Sequence, residues 1–100
     1  MTTVNIHNEM DKPAIIYTTH TKNQYSMGPN DTIWVPHTSG DIVAYDEKHI
    51  AIDKIFINVS DFETEYGSIW RALPLFNHIT LPIKLNISGK FEILKNKSNP

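Results

Sequence analysis

Three acidic side chains alternate in the stretch 61–65, where Asp61, Glu63 and Glu65 are separated by single residues. On an extended backbone, alternate side chains point to the same side, so these carboxylates would share one face. Hard cations such as Ca²⁺ bind several oxygen ligands of this kind, which makes the three residues metal-ligand candidates. The run lacks the spacing of an EF-hand loop and its bend glycine. We therefore expect a solvated acidic loop, and we predict neither a metal site nor a cofactor.

Five histidines are many for 100 residues, and each lies at or near the end of a predicted strand. They are His7, His20, His37, His49 and His78. A zinc or cupin-like site would need a His-x-His pair, or a histidine with a spaced carboxylate on a neighbouring strand. The sequence offers no such pair. Solvated histidines are the main expectation, and a pH-dependent interface is the alternative.

Residue patterns for covalent or phosphoryl-transfer catalysis are missing from the sequence. The chain has no cysteine, which excludes thiol catalysis, thiolate metal sites and disulfides. No Gly-x-Ser-x-Gly, Walker or Gly-x-Gly-x-x-Gly pattern occurs, and the four glycines all fall at predicted turns. We therefore predict a non-enzymatic protein.

The best candidate for a contact surface is the connection 61–77, which is about twice as long as any other. Long connections are uncommon in compact domains and often bind ligands or partners. Aromatic side chains suit such a role because they offer large contact areas with few rotors to order. The contact candidates are Phe62, Tyr66, Trp70, Arg71 and Phe76, together with Trp34 on a predicted strand. Ser68 is predicted to cap one helical turn that ends at Pro74. Alternatively, these aromatics plug the open end of the fold.

The elements that must position these residues are strands, and the clearest pattern runs from 79 to 94. Large aliphatic side chains at 79, 81, 83, 85 and 87 would all lie on one side of a sheet. Ser88-Gly89 permits a tight turn, and apolar residues at 91 and 93 continue the alternation. A transmembrane β-hairpin shows similar alternation, but the returning strand is too short for one. We expect a core hairpin with Pro82 at an edge or a bulge.

Turn signals recur roughly every 8–12 residues as far as residue 60, which is typical of all-β sandwiches and barrels. No segment has the 3.6-residue period of a proper helix. Strands are predicted at 2–8, 14–20, 24–27, 32–37, 41–45, 49–52, 54–59, 79–87 and 90–94. We predict a compact antiparallel β-sandwich of about seven to nine short strands, in which the first two strands form a hairpin. It forms a single domain over 1–100 with a frayed tail at 96–100.

The predicted core collects the apolar side chains that alternate on these strands. It consists of Val4, Ile6, Ile16, Ile33, Val35, Ile42, Ile55, Ile57, Ile79, Leu81, Ile83, Leu85 and Phe91. Residues 15–17 interrupt the alternation, so the opposite register of the second strand remains open. Tyr17, Tyr25, Tyr45 and Trp34 also lie on predicted strands, and core filling is expected for most of them. Two or more on one solvent face would form a stacking platform for a sugar or a base.

The charge is distributed asymmetrically, although the net charge is only −2. Residues 1–66 carry ten acids and four bases, giving −6, whereas residues 67–100 carry one acid and five bases, giving +4. This asymmetry could orient a protein partner or a second copy, but the basic half is too sparse for nucleic acid. The N-terminal residues show neither the basic nor the apolar region of a signal peptide. We expect a cytoplasmic protein, or one released without a signal peptide.

These observations predict a non-enzymatic binding or assembly module that acts through the aromatic 61–77 segment and an adjacent sheet edge. A protein partner or self-association is expected, since Pro36 and Pro82 are taken to mark edges. A glycan-binding, lectin-like module and a small membrane-active toxin component are the alternatives. Contact with nucleic acid or a membrane is not expected.

Overall fold

The computed structural model describes residues 2–36, 39–58 and 79–94. These residues form eight strands and no helix. The strands are β1 Thr2–Asn8, β2 Ala14–Thr18, β3 Asn23–Met27, β4 Thr32–Pro36, β5 Ser39–Tyr45, β6 Ala51–Asn58, β7 Ile79–Leu85 and β8 Phe91–Ile93. The predictions for the segment 61–77, including its helical turn, and for the tail 96–100 lie outside the described residues.

The strands form two four-stranded sheets whose apolar sides share one core, so the predicted all-β sandwich is confirmed. Sheet A has the strand order β4-β1-β7-β8, and sheet B has the order β3-β2-β5-β6. The pairs within the described strands are antiparallel except for β1 and β7, which run parallel. The first strand of the chain therefore lies in the interior of sheet A.

The predicted hairpin between the first two strands is wrong, because β1 and β2 belong to different sheets. Both sides of β1 are occupied, as Ile6 pairs with Ile33 of β4 and with Ile83 of β7. The chain leaves β1 through residues 9–13 and crosses to sheet B, burying the Met10 side chain in the core. Turn residues signal a change of direction, but they do not specify which sheet the next strand joins.

β6 is one continuous strand where the sequence predicts two. The sequence predicts a break at Asp53, but this residue pairs with Ala44 of β5. The register shifts between Ala44 and Tyr45, which is the mark of a β-bulge. The Asp53 carboxylate accepts the N–H of Phe91 at 2.8 Å. The acidic side chain is thus accommodated within a strand because it links the edge of sheet B to the edge of sheet A.

Most of the predicted core is buried between the two sheets. Val4, Ile6, Ile16, Val35, Ile42, Ile57, Leu81, Ile83 and Leu85 are buried, and Ile33, Ile55 and Phe91 are partly buried against them. Ile79 lies in β7, but its side chain is outside the described part of the structure. Ile16 faces the core, which resolves the register of β2. The sequence prediction missed four core residues. Met10 lies in a connection, Ala14 and Met27 lie at strand ends, and Ala44 has a short side chain.

The strand predicted to reach residue 87 ends at Leu85, and Ile87 is 79% exposed. The Asn86 side-chain oxygen accepts the N–H groups of Ser88 and Lys90, both at 2.9 Å. Gly89 has a φ of +78°, and a Cβ there would lie 2.9 Å from the nearest side-chain carbon of β6. Local side-chain hydrogen bonds offer the backbone an alternative to the strand ladder. The asparagine turn therefore prevails over the apolar alternation.

The two prolines predicted to mark edges occupy different positions. Pro36 ends β4, which is one of the two outer strands among the described strands of sheet A, as predicted. Pro82 lies in β7, between β1 and β8 and in unbroken register with β1, so the prediction of an edge or a bulge there is wrong. The Pro82 carbonyl accepts the N–H of Leu94 at 2.9 Å. The Pro82 nitrogen, which has no hydrogen to donate, also faces β8. Because β8 ends at Ile93, the missing hydrogen bond falls at the end of the β7–β8 ladder.

Asn8, the last residue of β1, is fully buried and joins separate parts of the chain. Its Nδ2 donates to the carbonyls of Lys12 at 2.9 Å and Gly28 at 3.1 Å, and its Oδ1 accepts the N–H of Met10 at 3.0 Å. Its backbone N–H and carbonyl pair with residues 30–31. Asn8 therefore fixes both the crossing to sheet B and the turn that leads into β4.

Replacing Asn8 with alanine should lower the free energy of unfolding by about 2–4 kcal/mol, because buried backbone groups lose their partners. Urea denaturation measures the change. Asn5→Ala is the matched control, since Asn5 lies on the same strand and points to the outer face. We expect the control to change the free energy of unfolding by less than about 0.5 kcal/mol. Equal losses in the two variants would contradict the proposed role of Asn8.

Candidate binding surface

The two central strands of sheet B carry apolar side chains on both of their faces. Their inward positions are buried in the core. Successive strand residues point to opposite faces, so Ile15 and Tyr17 of β2 and Val43 and Tyr45 of β5 point outward. The strand register adds side chains of β3 and β6 to the same surface, which we call the sheet-B face. It comprises Ile15, Tyr17, Gln24, Ser26, Asp41, Val43, Tyr45, Ala51, Lys54 and Phe56.

Tyr17 and Tyr45 are diagonal neighbours on the sheet-B face. Tyr17 pairs with Val43, and Tyr45 pairs with Ile15. Diagonal neighbours on adjacent strands lie about 7–8 Å apart, within reach of aromatic side chains. The sequence analysis required two strand aromatics on one solvent face for a stacking platform. These two half-buried tyrosines meet that requirement. Tyr25 does not contribute, because it packs against the core.

β6 contributes the aromatic side chain Phe56, which is 64% exposed and pairs with Asp41. Lys54 pairs with Val43, which is only 7% exposed although it points outward. One acidic and one basic residue therefore flank an apolar centre. Sequence reasoning did not select Phe56 as a contact residue. The signal was available, because assigning residues 55 and 57 to the core places Phe56 on the opposite side of the strand.

Trp34, a contact candidate from the sequence, lies on the other sheet. It belongs to β4 and is 61% exposed, whereas its neighbour Val35 is buried in the core. Along its row it pairs with Asn5, which in turn pairs with Pro82. The neighbours of Trp34 in this row are thus a polar side chain and a proline. The structure does not bring Trp34 together with the aromatic residues of the sheet-B face.

The other predicted site residues lie outside the described residues. They are the contact candidates Phe62, Tyr66, Trp70, Arg71 and Phe76 and the metal-ligand candidates Asp61, Glu63 and Glu65. The roles assigned to them stay predictions. Within the ranges that the structure describes, no group of three or more histidine, aspartate or glutamate side chains could hold a metal ion.

Two grooves continue the sheet-B face at one end. One has a volume of about 500 Å³ and is lined by residues 13–15, residues 26–28 and Glu47. The other has a volume of about 360 Å³ and is lined by residues 12–13, residues 46–48 and Ile50. The two grooves share Pro13 and Glu47, and both are open to solvent. Such geometry extends a contact surface and differs from the enclosed pockets that bury most of a small ligand.

Asp46 orders the turn beside the second groove. Its Oδ1 accepts the N–H groups of Ile50 at 3.0 Å and Lys48 at 2.8 Å. The hydrogen bond from Ile50 is the largest cause that lowers the pKa of the Asp46 carboxyl group. The Lys48 N–H and the charges of Lys12 and Lys48 act in the same direction, against partial desolvation. Hydrogen bonding to the charged form thus favours an ionised Asp46.

The fold and the surface define a small all-β sandwich with an aromatic outer face on one sheet. The described part of the chain contains no helix of the length and hydropathy needed to cross a membrane. Comparisons with protein-family models, curated proteins and solved structures find no match.

Asp46→Asn should remove a pH-dependent contribution to stability while keeping a side-chain oxygen for the same two N–H groups. The folded-state pKa of Asp46 lies below the ordinary value of 3.8. Its contribution is therefore present above the unfolded pKa and is lost as the pH falls through the folded pKa. We expect the wild type to have the higher melting temperature at neutral pH, and the two curves to converge below the ordinary carboxyl pKa.

Thermal unfolding across the acid range measures this difference. Glu47→Gln, which removes the charge of the adjacent exposed residue, is the control for net charge. A gap between wild type and Asp46→Asn that is constant at all pH values would contradict the assignment.

Proposed function

We propose that the protein is a non-enzymatic binding or assembly module that makes its contacts through the sheet-B face. The supporting observation is the two-sided apolar character of β2 and β5. Strands covered on both faces read as near-continuous apolar runs, whereas half-exposed strands alternate. β5 contains the run Ile42-Val43-Ala44-Tyr45 and β2 the run Ala14-Ile15-Ile16-Tyr17, while β1 alternates between apolar and polar residues. The two central strands of sheet B thus have the composition of strands that are covered on both faces.

A contact at a sheet edge, the mode expected from the sequence, has less support. Proline and inward-pointing charges on edge strands discourage pairing with another chain. On one side of the sandwich, Asp53 of β6 accepts the N–H of Phe91, and Ile52 lies against Gly89. On sheet A, the edge strand β4 ends in Pro36, which has no N–H to donate. At β6 and β4, these features support contact through a face over contact through the edge.

The membrane-active alternative relied on the alternating residues of β7. In this fold Leu81, Ile83 and Leu85 are buried in the core, so contact with lipid would require the sandwich to open. This alternative has the least support of the three. The contact role of the 61–77 segment stays a prediction, in addition to the role proposed for the sheet-B face.

Sedimentation velocity tests the assembly part of the proposal on the purified protein. We expect the weight-average mass to rise between about 10 μM and 1 mM, the range where weak contacts become populated. Phe56→Ser should suppress this rise because it removes the most exposed aromatic area of the face.

Trp34→Ser is the matched control, because it removes a similarly exposed aromatic side chain from sheet A. Its mass curve should match that of the wild type. Loss of association in Trp34→Ser together with normal association in Phe56→Ser would exclude the sheet-B face as the contact surface. A strict monomer throughout the range would contradict the assembly role and leave ligand binding to be tested.

Glycan binding is the second candidate, because three aromatic side chains share the sheet-B face with polar ones. Tyr17, Tyr45 and Phe56 offer stacking surfaces. Gln24 and Lys54 on the same face can exchange hydrogen bonds with hydroxyl groups.

Chemical-shift mapping with a panel of mono- and oligosaccharides tests this role. We expect shift changes confined to the sheet-B face and a loss of affinity of about tenfold in Tyr17→Ser, with Trp34→Ser unaffected. Quenching of Trp34 fluorescence would not report on this face, since Trp34 lies on sheet A. Saccharide binding that maps to sheet A would contradict this role.

A further inference from the structure

We propose that the partner of the sheet-B face is a second copy of the same chain, packed face to face around a two-fold axis that lies in the plane of the interface. This inference rests on the proposed assembly function and specifies its geometry. Its basis is the pairing register of sheet B, which places opposite charges at symmetric positions of the face.

The register arranges the side chains of the face around a diagonal of apolar residues. Ile15, Val43 and Phe56 lie on the adjacent strands β2, β5 and β6. From each strand to the next, the position shifts by two residues along the strand direction. Tyr17 and Asp41 lie on one side of this diagonal. Tyr45 and Lys54 lie on the other side. Each side therefore holds one tyrosine and one charged residue, and the two charges are opposite.

A two-fold axis along this diagonal would pair each side of one copy with the other side of its partner. In an isologous contact, residue i meets residue j and residue j meets residue i. Asp41 would thus lie opposite Lys54 of the second copy, and the reverse pair would form at the symmetric position. Phe56 and Val43 would meet their own counterparts on the axis. The tyrosines of the two copies would gather around Ile15.

The charges on the face are available for such pairs. Lys84 of β7 and Glu9, the residue after β1, form an ion pair with N···O 3.3 Å, whereas Asp41 and Lys54 form none within the described residues. Complementary charges across an interface fix its register and suppress wrong orientations more than they add affinity. The Asp41 and Lys54 side chains would therefore select this one two-fold arrangement.

The direction of the axis determines the angle at which the strands of the two copies would cross. Neighbouring strands lie about 4.8 Å apart, and a step of two residues along a strand covers about 6.7 Å. The diagonal therefore makes an angle of about 35° with the strands, so the strands of the two copies would cross at about 70°. This value is closer to the orthogonal class of sheet packing than to the aligned class.

The size of the face indicates a weak dimer. Four strands and three rows of side chains cover roughly 300–400 Å² on each copy. The total is below the 1,200–2,000 Å² or so of stable, specific interfaces and lies in the range of transient ones. We therefore expect a dissociation constant in the micromolar range or weaker, with dimers favoured only at high concentration.

Charge reversal with cross-complementation tests the arrangement. Asp41→Lys places two lysines opposite each other in the symmetric dimer, and Lys54→Asp places two aspartates opposite each other. Sedimentation equilibrium should show that each variant alone dimerises at least about tenfold more weakly than the wild type. An equimolar mixture of the two variants should regain dimers, because every contact then joins a lysine to an aspartate.

Recovery in the mixture separates this pairing from an interaction within one chain, which mixing cannot restore. The double variant Asp41→Lys/Lys54→Asp should also dimerise like the wild type. Melting temperatures and circular dichroism check that every variant is folded. Should Asp41→Lys fail to fold, Lys54→Asp and its Lys54→Gln counterpart provide the comparison, with Lys54→Asp expected to be the weaker dimer.

The outcomes separate this inference from the function on which it rests. A wild type that dimerises and is insensitive to both reversals overturns the face-to-face arrangement and leaves an assembly role through another surface. A wild type that is monomeric at 1 mM overturns the second copy as partner. If that monomer binds saccharides at the sheet-B face, the binding role stands and a glycan is the occupant.

Discussion

The buried amide of Asn8 is the interaction on which the arrangement of the two sheets depends. Burying an amide is costly unless its donors and acceptor are paired, and here the side chain reaches groups of two separate connections. Because these bonds bend the chain directly after β1, the next strand enters sheet B instead of returning beside β1. The position beside β1 is then filled by β7 in parallel, and the Glu9 N–H continues this pairing to the Leu85 carbonyl at 2.8 Å.

Polar side chains, more than glycines, define the ends of the strands. The turns 46–50 and 86–90 have the same construction, in which the first side chain accepts the N–H groups two and four residues later. The fourth residue of each turn has a positive φ, +63° at His49 and +78° at Gly89. Of these two turns, 86–90 is the one that requires glycine, because a Cβ at Gly89 would meet Ile52. His49 is exposed and adopts the left-handed conformation because the aspartate turn holds it there.

The confirmed predictions, namely the sandwich and most of its core, relied on the alternation of apolar and polar residues along single strands. It could not specify the partners of a strand, because pairing β1 with β7 joins the two ends of the chain and has no local signature. It also failed at Ile87 and Asp53, where hydrogen bonds of particular side chains decide the backbone path. The sheet-B face has the same limitation. Its tyrosines are visible in the sequence, but their proximity depends on the register of β2 against β5.

The two sheets differ in a way that single-strand patterns alone do not explain. β1 carries polar residues on its outer face, whereas the outer face of β2 and β5 holds two aliphatic residues and two tyrosines beside Asp41. Val43 points outward and is nevertheless only 7% exposed, in the row between Tyr17 and Lys54. The hydrophobic contribution to association scales with the apolar area removed from water, so the nearly buried Val43 adds little to it. If the sheet-B face is the contact surface, as proposed, its small area therefore favours weak, reversible contact.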